Sequence, residues 1–312
     1  MIKIVIIGYG EIAKSHKKAL EAVGFQIIGA CNRTDNSNQR SLDDGISKVY
    51  TDFHKMIIDL KPEAILIAVS SKHIYNVSCE VIPYSIPVLI EKPTGNRLIE
   101  HNRLLQLSKK YHTPVMVGVN RRHYSLFDKV FKLIGGKENI TSVLIEWSES
   151  PKKLELRGYS NQQIADVIFG NSIHGIDMLS WLAGGIDKPT IHTRDLGQFR
   201  WFMNANGISK TGVMYNFNSS WDCPVPWRVV ICSKGKRFVM APLETLECID
   251  DKWSKTNISP DNYDLEYKAG FYKQAIAFKE LVNLGFNDKA SLESVTNSME
   301  LCQLFYDELY EK

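Results

Sequence analysis

The sequence predicts an α/β protein of two domains, a doubly wound parallel sheet followed by an α+β domain with a mainly antiparallel sheet. Three observations carry this reading. Apolar runs of strand length alternate with amphipathic helical stretches through the first 118 residues or so. Those runs are apolar on both faces, as strands are when helices cover both sides of a parallel sheet. Beyond about residue 120 the strand-like runs come without crossover helices and with Gly, Asn and Pro turns, which is the pattern of antiparallel pairing.

In chain order, residues 2–7 form the first strand and 11–22 a helix; 25–31 is the second strand, and 34–44 is a polar loop or short helix. Residues 64–69, 87–90 and 114–119 are further apolar strands, with a helix at 97–111 whose Leu98, Leu104, Leu105 and Leu107 supply a buried stripe. A helix at 125–134 ends at Gly135-Gly136. Strands follow at 141–149, 190–194, 212–218, 228–232 and 237–240, interrupted by a helix at 172–182 and closed by helices at 269–284 and 292–310. The expected division is 1–119 and 120–312, with the closing helices able to pack back on the first domain.

Composition excludes several classes. Of 312 residues 44% are hydrophobic and 23% charged, and the formal charge is only +3. That balance fits a globular chain and gives no basic surface for nucleic acid or an anionic membrane. The six cysteines are dispersed, with neither C-x-x-C nor Cys/His spacing, so no metal site is expected and free thiols in a reducing compartment are. No run of 18 apolar residues occurs, and no charged n-region with an apolar h-region precedes the strand at residue 2. The expected location is the cytoplasm.

The first strand breaks directly into Gly8-Tyr9-Gly10-Glu11-Ile12-Ala13. A first glycine permits a tight turn, a second lets backbone approach a diphosphate, and a small third residue lets the helix pack closely. The helix N-terminus then holds the anion by free N–H groups and by its dipole. The first domain therefore reads as a Rossmann dinucleotide-binding domain. The second strand ends in Cys31-Asn32-Arg33-Thr34, where an acidic residue would hold a ribose 2′-hydroxyl. Here that position is the neutral Asn32, and Arg33 beside it suits a 2′-phosphate. NADP is favoured over NAD, although Asp35 lies close enough to oppose this.

Val88-Leu-Ile-Glu91-Lys92-Pro93 places a lysine at the carboxyl end of a buried strand, the sheet edge where ligands bind. Together with the glycine turn, this Glu-Lys-Pro tripeptide resembles the glucose–fructose oxidoreductase/myo-inositol dehydrogenase (Gfo/Idh/MocA) family. The resemblance runs nearly end to end. Val69-Ser-Ser-Lys-His73 is similar to the family's loop beside the nicotinamide. Gly118-Val-Asn120-Arg121-Arg122 is similar to its crossover between domains, and Phe169-Gly-Asn-Ser-Ile-His174-Gly-Ile-Asp177 to its substrate-domain helix.

The resemblance implies an NAD(P)-dependent dehydrogenase or reductase that moves hydride between nicotinamide and a secondary alcohol or ketone of a sugar, nucleotide sugar or cyclitol. It assigns catalysis to Lys92, His174 and Asp177. Cofactor contacts fall to Gly8, Tyr9, Gly10, Glu11, Ile12, Asn32, Arg33, Ser70, His73, Glu91, Lys92 and Asn120, and substrate contacts to Lys92, Arg121, Tyr124, Asn171 and His174. An ammonium with an ordinary pKa of about 10 needs burial or a neighbouring positive charge to exchange protons near neutrality. His174 and Asp177, three apart, share one helix face, as a general base and its orienting partner would. The sequence departs from the family at Gly170, where the familiar pattern carries an aspartate four residues before the histidine. That departure keeps a second reading open: a regulatory protein that binds dinucleotide and sugar without turnover. A homo-oligomer, dimer or tetramer, is also implied, joined through an aromatic-rich face of the second sheet.

Overall fold

A computed structural model describes residues 1–311, divided into two compact units. The first unit gathers Met1–His123 and Tyr263–Thr296; the second holds Tyr124–Asn262 and the chain from Asn297 onward.

The N-terminal segment alternates strands and helices: β1 (Ile2–Ile7), α1 (Glu11–Ala22), β2 (Phe25–Cys31), α2 (Asp35–Asp43), β3 (Val49–Tyr50), α3 (Phe53–Leu60), β4 (Ala64–Ile67), α4 (Ser71–Val81), β5 (Val88–Ile90), α5 (Leu98–Tyr111) and β6 (Val115–Val117). All pairings are parallel, in the order β3-β2-β1-β4-β5-β6. That is the dinucleotide-binding order, with the reversal beside β1 and β4. Ile4, Val5, Ile6, Ile65, Leu66, Ile67, Val88, Leu89 and Ile90 are completely buried, so the sheet is covered on both faces. Polar residues set the helix starts: Thr34 accepts the Ser37 N–H to cap α2, and Asp52 accepts from His54 and Lys55 to cap α3.

The second segment runs α6 (Ser125–Ile134), β7 (Ser142–Ser148), α7 (Pro151–Leu156), α8 (Asn161–Ala165), α9 (Ile173–Ala183), β8 (Thr190–Asp195), β9 (Trp201–Ile208), β10 (Met214–Ser220), β11 (Arg228–Ser233), β12 (Lys236–Met240), β13 (Glu247–Ile249) and β14 (Lys255–Asn257). Its eight-stranded sheet has the order β14-β13-β12-β11-β7-β10-β9-β8 and is antiparallel except where β7 and β10 run side by side in parallel. That exception follows from α7, α8 and α9, which separate β7 from the strands that follow. β7 alternates as a one-sided sheet requires, with Val143, Ile145 and Trp147 buried and the residues between them partly exposed. The buried face receives the helices: Phe305 stacks on Phe217 at 5.7 Å, and a Cβ on Gly175 would lie 2.7 Å from the Trp147 ring. The opposite face carries Phe202, Ile208 and Met214, all exposed, among Asn204, Asn206, Asn216 and Asn218. Asn204 donates to Asn216 and Asn218 across that face at 3.0 and 2.7 Å.

Three helices close the chain, α10 (Asn262–Glu266), α11 (Phe271–Leu284) and α12 (Leu292–Tyr310). No helix among the described residues is long and apolar enough to cross a membrane.

Candidate active site

The glycine turn is built by a conformational demand and a steric one. Gly8 has φ +91°, and a Cβ there would lie 2.7 to 2.9 Å from Val69 Cγ1, Val69 N and Ala68 C. Only glycine meets both conditions. Gly10 differs. It caps α1 in an extended conformation without a side-chain bond, and a Cβ on it would meet nothing within 4 Å. Open space therefore lies beside Gly10, where the first N–H groups of a twelve-residue helix have no acceptor within the helix. A diphosphate fits there on charge and on room. Glu11, the first residue of α1, has an exposed side chain, with Arg40 at 3.9 Å, and Ile12 is half-buried behind it.

At the end of β2 the chain uses Asn32 to fix this turn. Asn32 is buried, accepts the Tyr9 N–H at 2.7 Å through Oδ1, and donates to Ser41 Oγ at 3.0 Å and to the Ser37 carbonyl at 3.3 Å. Burial, with Asp44 nearby, pushes the Tyr9 phenol up, so it stays neutral. Arg33 is exposed, and its Nη1 donates to His73 Nε2 at 2.9 Å. Partial burial and the charges of Arg33 and Lys72 lower the His73 pKa, so the ring accepts as a neutral imidazole. Ser70 caps α4, taking the His73 and Ile74 N–H groups on its carbonyl.

Glu91 and Lys92 follow β5. Glu91 is buried; its Oε1 meets His16 Nε2 at 2.6 Å, and its Oε2 accepts the Lys92 backbone N–H at 3.1 Å. His16 belongs to the buried stripe of α1 with Ala13, Ala19 and Leu20. Lys92 is half-buried. Asn120 is buried and donates to the Ala269 carbonyl at 2.9 Å. Burial lowers the Lys268 pKa, the Glu91 carboxylate opposes that shift, and the Arg121 guanidinium adds to it. Glu91, Arg121 and Lys268 thus share one electrostatic environment in the first unit.

The second unit holds the rest. Between α8 and α9 the helix widens into a π turn, Ile168–Ser172, a local form frequent at functional sites. Asn171 and Ser172 end that turn, and both bind Glu149 at the end of β7: Asn171 Nδ2 reaches both carboxylate oxygens at 2.9 and 3.0 Å, and Ser172 Oγ donates at 3.1 Å. His174 and Asp177 are buried on α9, and Asp177 accepts from Ser298 Oγ at 2.7 Å. Tyr124 is buried with its hydroxyl 3.2 Å from Glu244 Oε1. A cavity of about 840 Å³ opens beside Glu149, lined also by Lys152, Lys153, Arg157, Arg200 and Trp221.

The sequence reading did not single out His16, Lys268 or Glu149. His16 left one signal, a histidine within an otherwise apolar helical stripe. Glu149 left none beyond its place at the end of an alternating run.

Comparison with known proteins fits this geometry. Residues 2–119 match the model of the Gfo/Idh/MocA family, described as an oxidoreductase family with an NAD-binding Rossmann fold. Over these residues, the dinucleotide-binding segment, the chain is similar to the Gfo/Idh/MocA oxidoreductase family. The myo-inositol 2-dehydrogenase of Thermotoga maritima is 24% identical over 189 residues, which cover 59% of this chain and 55% of that protein. The chain thus spans about half the length of the curated relatives it matches. Among solved structures, a dehydrogenase (MviM) from Clostridium difficile aligns with a TM-score of 0.83 at 19% identity, covering 99% of both chains. The UDP-N-acetylglucosamine 3-dehydrogenase GnnA of Acidithiobacillus ferrooxidans aligns at 0.80 and 14% identity, over 99% of this chain and 97% of that one. At these identities the structural likeness establishes the fold, an α/β architecture shared with this family.

Proposed function

We propose that the chain is an NADP-preferring oxidoreductase that transfers hydride between the nicotinamide and a secondary alcohol or ketone of a sugar, nucleotide sugar or cyclitol. One observation carries the reading. The glycine turn, the Ser70–His73 segment and Glu91-Lys92 leave the carboxyl ends of three adjacent strands, β1, β4 and β5, and a ligand in a sheet of this order lies along that edge. The names of the relatives, an inositol dehydrogenase and a nucleotide-sugar dehydrogenase, support the substrate class.

Oxidising a secondary alcohol removes a hydride from carbon and a proton from oxygen. When bound, the nicotinamide supplies the hydride acceptor or donor. In this reading Lys92 handles the proton: its amine takes it from the substrate hydroxyl, and its ammonium returns it in the reducing direction. Glu91 fixes the backbone from which that side chain springs. His174, with Asp177 on the same face of α9, serves as a hydrogen-bonding acid–base group, and Arg121, Tyr124 and Asn171 contact the substrate. Asn32, Arg33 and the absence of a carboxylate among the bonds at the end of β2 support NADP. The exposed Phe202, Ile208 and Met214 on the open sheet face support self-association as a dimer or tetramer.

The test is a screen of polyols, inositols and nucleotide sugars with NADP⁺ and NAD⁺, followed at 340 nm. Turnover is expected for at least one, with kcat lowered about 100-fold or more in Lys92→Ala and in His174→Ala. Tight dinucleotide binding with no reduction across the panel would instead favour the regulatory reading.

A further inference from the structure

We propose that Glu149 is a positioning residue for His174, acting through the π turn that precedes it. The proposal rests on the reading that His174 serves the substrate, and its argument is geometric. The Glu149 carboxylate takes hydrogen bonds from Trp147, Asn171 and Ser172: Oε1 accepts Trp147 Nε1 at 2.9 Å, Asn171 Nδ2 at 2.9 Å and Ser172 Oγ at 3.1 Å, and Oε2 accepts Asn171 Nδ2 at 3.0 Å. Two of those donors, Asn171 and Ser172, are the last residues of the π turn.

The far side of His174 is held by the same strand end. Gly175 follows it, and the Trp147 ring packs so close to Gly175 that a Cβ would come within 2.7 Å. Trp147 is itself completely buried and stacked on Trp227, ring centroids 4.1 Å apart. His174 is therefore flanked on one side by residues bonded to Glu149 and on the other by a residue pressed on Trp147, and Trp147 donates to Glu149. A carboxylate bound to a hydroxyl, an amide and an indole N–H is a strong acceptor with fixed geometry. The π turn replaces the regular i→i+4 ladder by wider i→i+5 bonds, and at its end the Glu149 carboxylate holds Asn171 and Ser172 from outside, next to the His174 ring.

Glu149→Ala, Glu149→Asp and Glu149→Gln separate this from a structural role. Gln keeps a carbonyl oxygen at full reach, Asp keeps the charge and withdraws it by one methylene, and Ala removes both. The first readout needs no turnover: the His174 ring ¹H–¹³C signal, assigned with His174→Asn, in variants shown by circular dichroism to be folded. It is expected to move or broaden with Ala and with Asp and to stay near its wild-type position with Gln. The second readout is kinetic, on whichever polyol the wild type turns over. There kcat is expected to fall about 10-fold or more in Ala and in Asp, since displacement of about 1 Å costs up to 10²-fold, while NADPH binding stays unchanged. A His174 signal that superimposes on wild type in folded Glu149→Asp or Glu149→Ala overturns the proposal. If the signal moves but the wild type oxidises nothing in the panel, the positioning stands and the dehydrogenase reading fails.

Discussion

His16 and Glu91 meet at 2.6 Å between two elements of the first unit, the helix that begins at the glycine turn and the segment that carries Lys92. Both side chains are nearly inaccessible, at 3% and 6% exposure. The Phe271 ring lies 4.6 Å from the imidazole, which leaves Glu91 as the polar partner. Because Glu91 also accepts the Lys92 N–H, one carboxylate ties the start of the dinucleotide cradle to the proposed proton carrier.

Breaking that pair from one side leaves a buried polar group facing apolar surroundings. Glu91→Leu is expected to cost about 3 kcal/mol and His16→Leu a similar amount. The double variant should cost clearly less than their sum, with a coupling of about 1 kcal/mol or more. Urea unfolding midpoints at unchanged slope measure this. Strict additivity would mean that the two side chains stabilise the unit independently.

Gly8 and Gly10 should respond differently to the same added methyl group. At Gly8 an alanine inherits φ +91° and a contact at 2.8 Å with backbone nitrogen, so roughly 2–4 kcal/mol of stability should be lost. At Gly10 the backbone is already extended and the methyl meets nothing, so stability should change by no more than about 0.5 kcal/mol. Its effect should fall on NADPH affinity, weakened about 10-fold or more as the methyl enters the space kept for the diphosphate. Equal affinity in wild type and Gly10→Ala would remove that space from the binding site.

The difference in what the sequence disclosed follows from the range of the interactions involved. Local signals were enough for several elements: β1 (Ile2–Ile7), α1 (Glu11–Ala22) and α12 (Leu292–Tyr310) carry the boundaries that periodicity and the glycine turn predict. The strand β9 (Trp201–Ile208) escaped, because Asn204 and Asn206 interrupt its apolar pattern; Asn204 donates to Asn216 and Asn218 of β10, and Asn206 donates to Asn204. The helices α3 and α4 escaped although each carries a buried apolar stripe, Met56 with Ile57 and Ile74 with Val81, and α7 and α8 escaped as segments of six and five residues. The parallel pairing of β7 with β10 is a fact of topology that no local pattern encodes. At the site, Lys92 and the glycine turn were legible as contiguous motifs. Glu149 was not, since its meaning lies in bonds to residues 22 and 23 positions away.

His101 gives a pH signature. It is completely buried between Thr94 Oγ1 at 2.9 Å and Thr296 Oγ1 at 3.0 Å, and burial pushes its pKa down to about 4. Thr296 donates its own proton to the Leu292 carbonyl, so the ring donates through Nε2 and accepts from Thr94 through Nδ1. The unfolded chain binds this proton near pH 6.5 and the folded one only near 4. Between those values the unfolded state carries more protons, and stability falls as pH falls. The expected loss from this ring is about 3 kcal/mol between neutrality and pH 4, absent above about 6.5. His123, also completely buried and shifted the same way, adds to the slope. Urea titrations from pH 7.5 to 4.5 should show His101→Asn flatter than wild type by up to one bound proton. A parallel dependence in the two proteins would contradict the neutral-ring assignment.

The proposed preference for NADP turns on Arg33. The guanidinium is exposed yet oriented, because the neutral His73 ring takes one of its N–H groups at 2.9 Å and leaves the others for a ligand. A 2′-phosphate would receive charge-assisted bonds there of about 1.5–3 kcal/mol, while a 2′-hydroxyl gains little from a guanidinium. Arg33→Ala should therefore reduce the ratio of NADPH to NADH affinity by about 10- to 100-fold, leaving NADH binding almost unchanged. Asn32→Asp supplies the converse. Its carboxylate still accepts the Tyr9 N–H, but places a negative charge beside the phosphate, so preference should shift toward NADH. Fluorescence titration of both dinucleotides against the three proteins decides this. A wild type that binds NADH more tightly, with a ratio indifferent to Arg33→Ala, would assign the guanidinium to holding His73 alone and return the 2′-hydroxyl to Asp35 or a backbone group.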